Sequence, residues 1–208
     1  MKRSILAVLV ILCFLCGCAS KEKNLSAMEK IQKQLNEMQS YQCIGTMKRI
    51  SNKGENTYEM KQSYQMTGEY KLELTAPESV AGNYTVFDGK TICQYNPRVN
   101  GRVIIDVPES QPRNELFLGA FVKNYVQSED VSMSTANLEE NNCTILEAVI
   151  PGDNKYLATE KLWIDNETIE PVQFVIYDSE GKERYIINYK EFEYNVAFEK
   201  DFFHIDKE

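Results

Sequence analysis

From Tyr41 onward, turn signals divide the chain into short β-prone runs, and this division constrains the fold more than any other feature. The first six runs are YQCIGTMKRIS, TYEMKQSYQMT, EYKLELT, NYTVFD, KTICQY and RVIID. Gly, Asn, Asp or Pro separates them, which is typical of antiparallel strands joined in chain order. In VFDGKTICQYN, Asp88-Gly89 is expected to supply the positive φ angles of a tight hairpin turn. The sequence therefore predicts an antiparallel meander.

Five more runs follow in the second half: VSMSTANL, NCTILEAVI, YLATEKLWID, PVQFVIYD and ERYIINYKEFEYN. Gly181 marks a second hairpin between the last two. In the final run the apolar residues alternate up to Tyr189, but Phe192 falls on the opposite parity. A β-bulge near Lys190, or a change of neighbouring strand there, would restore one buried face.

An amphipathic helix is predicted before the first strand, at about residues 26–39. Ser26 and Glu29 have the spacing of a capping box, and one helical stripe behind them is apolar. Packing on the body of the domain is favoured over a membrane-surface role, because the polar face lacks a basic excess.

A second helix, PRNELFLGAFVKNYVQS, is predicted between the two sets of strands, from Pro112 to Ser128. Apolar groups occupy most of its circumference, which is typical of a buried helix. A single sheet can bury such a helix only by curling around it. The candidate residues of this plug helix are Leu116, Phe117, Ala120, Phe121 and Tyr125.

The N-terminus has the charged, apolar and small-residue order of a secretory signal. Its apolar run from Ile5 to Leu15 covers 11 residues, fewer than the roughly 20 of a spanning helix. Leu15-Cys16-Gly17-Cys18 resembles a bacterial lipobox. We predict that residues 1–17 are a cleaved signal peptide and that Cys18 carries the acyl chains, palmitate among them, of a tether over residues 18–24. An uncleaved signal anchor is the alternative.

Three cysteines remain in the predicted domain, at Cys43, Cys93 and Cys143. Each lies in a strand-like run beside apolar residues, and free cysteine behaves as a small buried hydrophobe. Buried free thiols are therefore favoured over one disulfide, and both are favoured over a redox or catalytic role.

Composition and motifs argue against nucleic-acid binding and catalysis. Without the signal peptide the chain has 21 basic and 31 acidic residues, a net charge near −10, which repels phosphates. His204 is the one histidine of the chain, and no zinc-ligand spacing, P-loop or nucleophile motif is present. Glu139-Glu140 lies in a predicted turn, where solvation is favoured over acid–base work. The sequence indicates a non-enzyme without a cofactor.

Two segments carry a family resemblance: VFDGKTICQYNP and EKLWIDNETIEPVQFVIYDSEGKERYIINYKEFEYN. The most specific piece is Trp163-Ile164-Asp165 followed by Pro171. Over about residues 25–205 the pattern resembles the lipoprotein-sorting carriers of the LolA/LolB type and their relatives in spore-forming bacteria. The resemblance implies an α+β, mostly β fold over residues 25–208. A strongly curved antiparallel sheet forms a half-barrel in it, with an N-terminal helix and a buried helix plugging the concave side.

Within that superfamily the acylated chain resembles the GerS-type spore germination lipoproteins of clostridia. The resemblance implies a protein lipid-anchored to a cell or forespore membrane, outside the cytoplasm. It would bind and activate or position an N-acetylmuramoyl-L-alanine amidase of the CwlD type, which forms muramic-δ-lactam in cortex peptidoglycan. Any zinc would belong to the amidase. The alternatives are a carrier of an acyl chain or other apolar ligand and a structural lipoprotein of the spore envelope. Exposed strand edges also make a homodimer by strand exchange plausible.

Overall fold

The computed structural model describes residues 25–108 and 113–206. These residues form two helices, α1 (Ala27–Glu37) and α2 (Leu118–Gln127). The first six strands are β1 (Ser40–Ser51), β2 (Gly54–Gln65), β3 (Tyr70–Ala76), β4 (Tyr84–Phe87), β5 (Thr91–Asn96) and β6 (Gly101–Asp106). The remaining five are β7 (Ser132–Leu138), β8 (Asn141–Val149), β9 (Thr159–Asp165), β10 (Pro171–Tyr177) and β11 (Glu183–Tyr194).

All the strands form one antiparallel sheet in the order β6-β5-β4-β3-β2-β1-β11-β10-β9-β8-β7. The predicted meander is confirmed on both sides of a central pairing between β1 and β11. We call β3–β6 the first wing and β7–β10 the second wing. The near end of the sheet is where β1 begins at Ser40, and the far end is where it finishes at Ser51. In the described part of the chain, the edge strands β6 and β7 do not pair with each other, so the barrel is open.

The sheet curves around α2, which confirms the predicted half-barrel. One buried cluster joins residues of both wings to α1 and α2. At the near end, the backbone N–H of Leu118 donates to the hydroxyl of Tyr41 at 3.0 Å. Toward the far end, Asn124 Nδ2 donates to Glu160 Oε1 on β9 at 2.7 Å. The helix therefore crosses the concave face diagonally, from the centre of the sheet to the second wing.

The capping box of α1 is confirmed. Ser26 Oγ accepts from the backbone N–H of Glu29 at 3.3 Å, and Glu29 Oε2 accepts from the backbone N–H of Ser26 at 2.8 Å. The helix is slightly shorter than predicted, because the backbone is already extended at Met38. Its buried side chains include Ile31 and Leu35.

The predicted start of the plug helix at Pro112 lies outside the described residues, and residues 113–117 are not helical. Their carbonyl groups bond to side chains of the sheet: Leu116 accepts from Gln62 Nε2 and Arg113 from the hydroxyl of Tyr70, both at 3.1 Å. The helix begins only after Phe117, whose backbone is extended. The predicted all-round burial is also wrong for the last turn, where Val126 is 68% exposed.

Two further local predictions concern turns and register. Ile44 pairs with Glu191 and Gly45 with Tyr189, so Lys190 is left out of the register and the predicted bulge is confirmed. The hairpin at Gly89 is also confirmed, with φ +91° there. Asp88 has no positive φ, so that part of the prediction was wrong. Its carboxylate instead accepts from two backbone N–H groups of the turn.

The C-terminal segment, residues 198–205, packs on the convex face of the first wing. Phe203 and Ile205 form a separate buried cluster with Val86 and Cys93. These two strand residues point away from the main core, since their neighbours Phe87 and Ile92 belong to it. This cover was not predicted from the sequence, although the aromatic residues at positions 198, 202 and 203 were a signal for it.

Candidate functional site

The concave face of the first wing is open at its far end, because α2 crosses toward the second wing. A groove of about 500 Å³ lies there, and we call it the concave groove. The strand residues that line it include Met47, Leu72, Leu74, Thr85, Gln94 and Val103. Along each strand these side chains alternate with side chains of the convex face, so they lie on the same face as the main core. The groove therefore extends the apolar core toward solvent.

Strand β6 borders this groove and exposes apolar side chains. Val103 is 56% exposed and Ile105 41%, and Val99 in the preceding turn is 73% exposed. The outer edge of β6 has no partner strand in the described residues, so its free backbone groups can pair with another chain. Apolar side chains beside a free strand edge indicate a binding surface for a protein.

The groove carries little charge. Arg102 is the charged residue among those described in its lining, but its side chain points to the convex face, where its Nη1 donates to the carbonyl of Asp206 at 2.9 Å. The stacked rings of Tyr84 and Tyr95, with centroids 5.1 Å apart, lie on the convex face as well. The groove is therefore suited to apolar contacts, and Gln94 and Asn96 supply polar groups along it.

Of the plug residues predicted from sequence, Phe117 and Phe121 belong to the main core and Leu116 and Tyr125 pack against it, although Leu116 and Phe117 precede the helix. Ala120 is buried, and Leu116 and Tyr125 are partly buried. The ring centroids of Phe117 and Tyr70 are 4.4 Å apart. The ring centroids of Phe121 and Phe174 are 5.8 Å apart, and these two rings pack edge to face. Aromatic rings therefore fill the middle of the concavity.

Gly119 allows the close approach of α2 to the sheet. A Cβ atom at this position would lie 2.0 Å from Cε1 of Tyr64. That ring is itself buried and its hydroxyl accepts from Asn114 Nδ2 at 3.4 Å, so it cannot move aside easily. A residue without a side chain is required here.

Glu160 is a buried carboxyl beneath the last turns of α2, with none of its surface exposed. Its Oε1 accepts from Asn124, and its Oε2 has no hydrogen-bond partner among the described residues. Burial, with a smaller contribution from the charge of Glu115, raises the pKa of Glu160 to about 7. This group was not predicted from the sequence. Its shared parity with Leu162 and Ile164 was the available signal.

The other candidate residues lie apart from the groove's lining. Cys43, Cys93 and Cys143 are free and buried on three different strands, and burial raises the pKa of each thiol, which disfavours the reactive thiolate. Cys18 lies outside the described residues. His204 is exposed, with Nε2 3.3 Å from Asp206 Oδ1.

No group of three or more His, Cys, Asp or Glu side chains among the described residues is arranged to hold a metal ion. None of the described helices is long and apolar enough to cross a membrane.

The sequence matches the family model described as sporulation protein YdcC-like over residues 1–203. No curated protein matches it. A chain in the structure of the CwlD amidase from Clostridioides difficile in complex with the GerS lipoprotein is 31% identical, with 86% of this chain and 98% of that chain covered and a TM-score of 0.49. An uncharacterized conserved protein from Thermus thermophilus is 19% identical, with 88% and 96% covered and a TM-score of 0.55, and it shares the fold. A LolA superfamily protein from Nitrosomonas europaea is 13% identical, with 86% and 98% covered and a TM-score of 0.41.

Proposed function

The chain belongs to the YdcC-like family of sporulation proteins, and from this premise we propose that it is a non-enzymatic, lipid-anchored partner of a cell-wall amidase. It binds and activates or positions an N-acetylmuramoyl-L-alanine amidase of the CwlD type. The observation that carries the proposal is the 31% identity, over 86% of this chain, to a chain in the structure of an amidase bound to a lipoprotein.

The anchor is the acylated Cys18, after removal of residues 1–17. Residues 18–24 connect it to the cap of α1 at Ser26, so the domain lies close to the outer surface of a cell or forespore membrane. More than one acyl chain is needed for stable anchoring. The resulting location next to the wall suits a partner of an enzyme that acts on peptidoglycan.

The amidase docks on the concave groove and the edge of β6. The exposed side chains of Val103 and Ile105 supply apolar area, and the free edge supplies backbone donors and acceptors. Binding favours the amidase conformation that holds its catalytic zinc and glycan substrate, through a higher affinity for that conformation. The zinc belongs to the amidase. Strand exchange at the same kind of edge would also permit a homodimer of this chain.

A second candidate function is a carrier of an acyl chain or other apolar ligand. The apolar lining of the concave groove favours it. The rings of Phe117 and Phe121 disfavour it, because they occupy the middle of the concavity where such a ligand would be enclosed.

The test uses residues 19–208 and the amidase from the same organism, analysed by size-exclusion chromatography with light scattering, with and without zinc. We expect a complex of defined mass. Val103→Glu on β6 should weaken it at least tenfold, whereas Met133→Glu on β7 should not. The two side chains are matched in exposure, at 56% and 54%.

Separate elution of the unmodified proteins would refute the amidase proposal, and extraction of a bound lipid would then support the carrier. Equal effects of the two substitutions would show that the amidase does not dock on β6.

A further inference from the structure

A second pocket lies at the far end of the sheet, beside the β1–β2 turn. It has a volume of about 490 Å³ and shares no residue with the concave groove. We call it the turn-end pocket. Its charged, amide and exposed aromatic lining residues are Arg49, Asn52, Lys53, Asn154, Tyr156 and Arg184. Arg49 stands two residues after Met47 on the same face of β1. The pocket therefore adjoins the surface on which the amidase is proposed to dock.

The charge of this pocket is opposite to that of the chain, whose net charge is −8. The charged residues among those that line it are all basic: Arg49, Lys53 and Arg184. Arg184 is paired, with its Nε 3.3 Å from Asp178 Oδ2. Arg49 and Lys53 make no ion pair with a described residue. Two positive charges without a counter-ion favour an anionic ligand.

The polar part of the pocket is held in place before any ligand arrives. The guanidinium of Arg184 lies over the ring of Tyr156, with Cζ 4.8 Å from the ring centroid. Its Nη1 donates to Asn52 Oδ1 at 3.4 Å, and Asn154 Oδ1 accepts from the backbone N–H of Tyr156 at 3.0 Å. Tyr156 remains 45% exposed. A fixed aromatic ring edged by side-chain amides offers apolar and hydrogen-bonding contacts to one small ligand.

Cations, amides and an aromatic ring together suit a sugar that bears a carboxylate. The proposed partner produces such a group. An N-acetylmuramoyl-L-alanine amidase hydrolyses the amide bond between the lactyl group of muramic acid and alanine, so that the C–N bond breaks. The acyl carbon takes the hydroxyl and the nitrogen takes the proton, and at neutral pH the products are a lactyl carboxylate and a free ammonium. Peptide-free muramic acid is therefore an anion on an uncharged glycan.

We propose that the turn-end pocket binds glycan strands through the carboxylate of peptide-free muramic acid. Arg49 and Lys53 bind the carboxylate, and Tyr156 with the two asparagines contacts the sugar. The proposal rests on the proposed function and adds a ligand to it. The protein then holds the glycan product beside the docked amidase.

An anionic membrane headgroup is a less suitable ligand because of where the pocket lies. The twelve residues of β1 separate it from Ser40 by roughly 35 to 40 Å. Leu25, which follows the proposed tether, lies at the opposite end of the sheet, near the β9–β10 turn. An anchored chain would point this pocket toward the wall.

The experiment uses the whole mature chain in detergent and measures its dissociation constant for insoluble cell wall by co-sedimentation. We expect at least tenfold tighter binding to amidase-treated wall than to untreated wall or to treated wall whose carboxylates have been capped with a carbodiimide and an amine. The double variant Arg49→Ser, Lys53→Ser should lose this preference. The matched control Lys61→Ser, Lys200→Ser removes the same charge from exposed positions outside the pocket and should keep it.

Equal binding to capped and uncapped wall, or binding only to vesicles of phosphatidylglycerol, would overturn the proposal. Co-elution with the amidase is measured in parallel for every variant. A chain that binds the amidase but shows no carboxylate preference refutes the glycan site alone. A chain that binds the treated wall but not the amidase refutes the proposed function instead.

Discussion

The two wings of the sheet are built from the same kind of strand, yet each wing is covered on a different face. In the second wing, α2 covers the concave face, and Leu146, Leu162 and Phe174 are completely buried beneath it. In the first wing, the C-terminal segment covers the convex face, where Phe203 contacts the strands. The concave face there stays open at the far end. A single curved sheet thus provides a packed core on one side of β1 and a binding surface on the other.

The two edge strands differ in the same sense. β6 has the sequence GRVIID and β7 has SMSTANL. Both are largely exposed, but β6 exposes the bulky aliphatic residues Val103 and Ile105, and Val103 lines the concave groove. Polar side chains on a free edge discourage pairing with other chains, whereas aliphatic ones invite it. The difference favours the first wing over the second as the side on which a protein docks.

The largest expected effect comes from removing the contact between α2 and the second wing. Phe121→Ala should lower the free energy of unfolding by about 3–5 kcal/mol, because it deletes a fully buried ring and leaves a cavity. Val126→Ala, on the exposed side of the same helix, should change it by less than about 0.5 kcal/mol. Urea denaturation measures both. Similar losses of stability for the two variants would mean that packing of α2 does not stabilise the second wing.

A pH-dependent effect is expected in the second wing, where Glu160 is buried. Burial raises the pKa of Glu160 from 4.5 to about 7, so the folded chain binds this proton more tightly than the unfolded chain. The carboxyl therefore favours folding most at low pH. Its contribution falls as the pH rises from 4.5 through 7, by about 3 kcal/mol in total.

Glu160→Gln should remove this slope while keeping a hydrogen-bonding side chain next to Asn124. Unfolding in urea between pH 5 and pH 8.5 measures the difference between the two proteins. If the free energies of unfolding of the two proteins changed with pH in parallel, Glu160 would titrate normally and its carboxyl would have a partner in the folded chain.

The smallest of these effects is expected in the first wing. Phe203→Ala opens the small cluster around Val86 and Cys93 and should cost about 2 kcal/mol, less than a core ring, because a terminal segment can adjust to fill the space. Cys93 should then react with a thiol reagent faster than Cys43. If Phe203→Ala lowered the free energy of unfolding as much as Phe121→Ala, then the C-terminal segment and α2 would be equally important for stability.

The sequence predicted the elements governed by local patterns. The capping box at Ser26, the hairpin at Gly89 and the bulge at Lys190 each depend on residues close together in the chain. The start of α2 was mispredicted because the carbonyl of Leu116 bonds to Gln62 on a distant strand, and a periodicity analysis has no access to such a partner. The concave groove could not be predicted either, since it depends on the diagonal path of α2.

The central pairing of β1 with β11 has a consequence for folding. Tyr41 pairs with Tyr194, so the middle of the sheet joins segments that lie far apart in the chain, whereas each wing is built from neighbouring hairpins. Closing a long loop costs entropy before the contact is gained, and such non-local pairing slows folding. We expect the wings to gain amide protection first in pulse-labelled hydrogen exchange, with the β1–β11 ladder last. A chain released before β11 has emerged would then lack the seam that joins its halves.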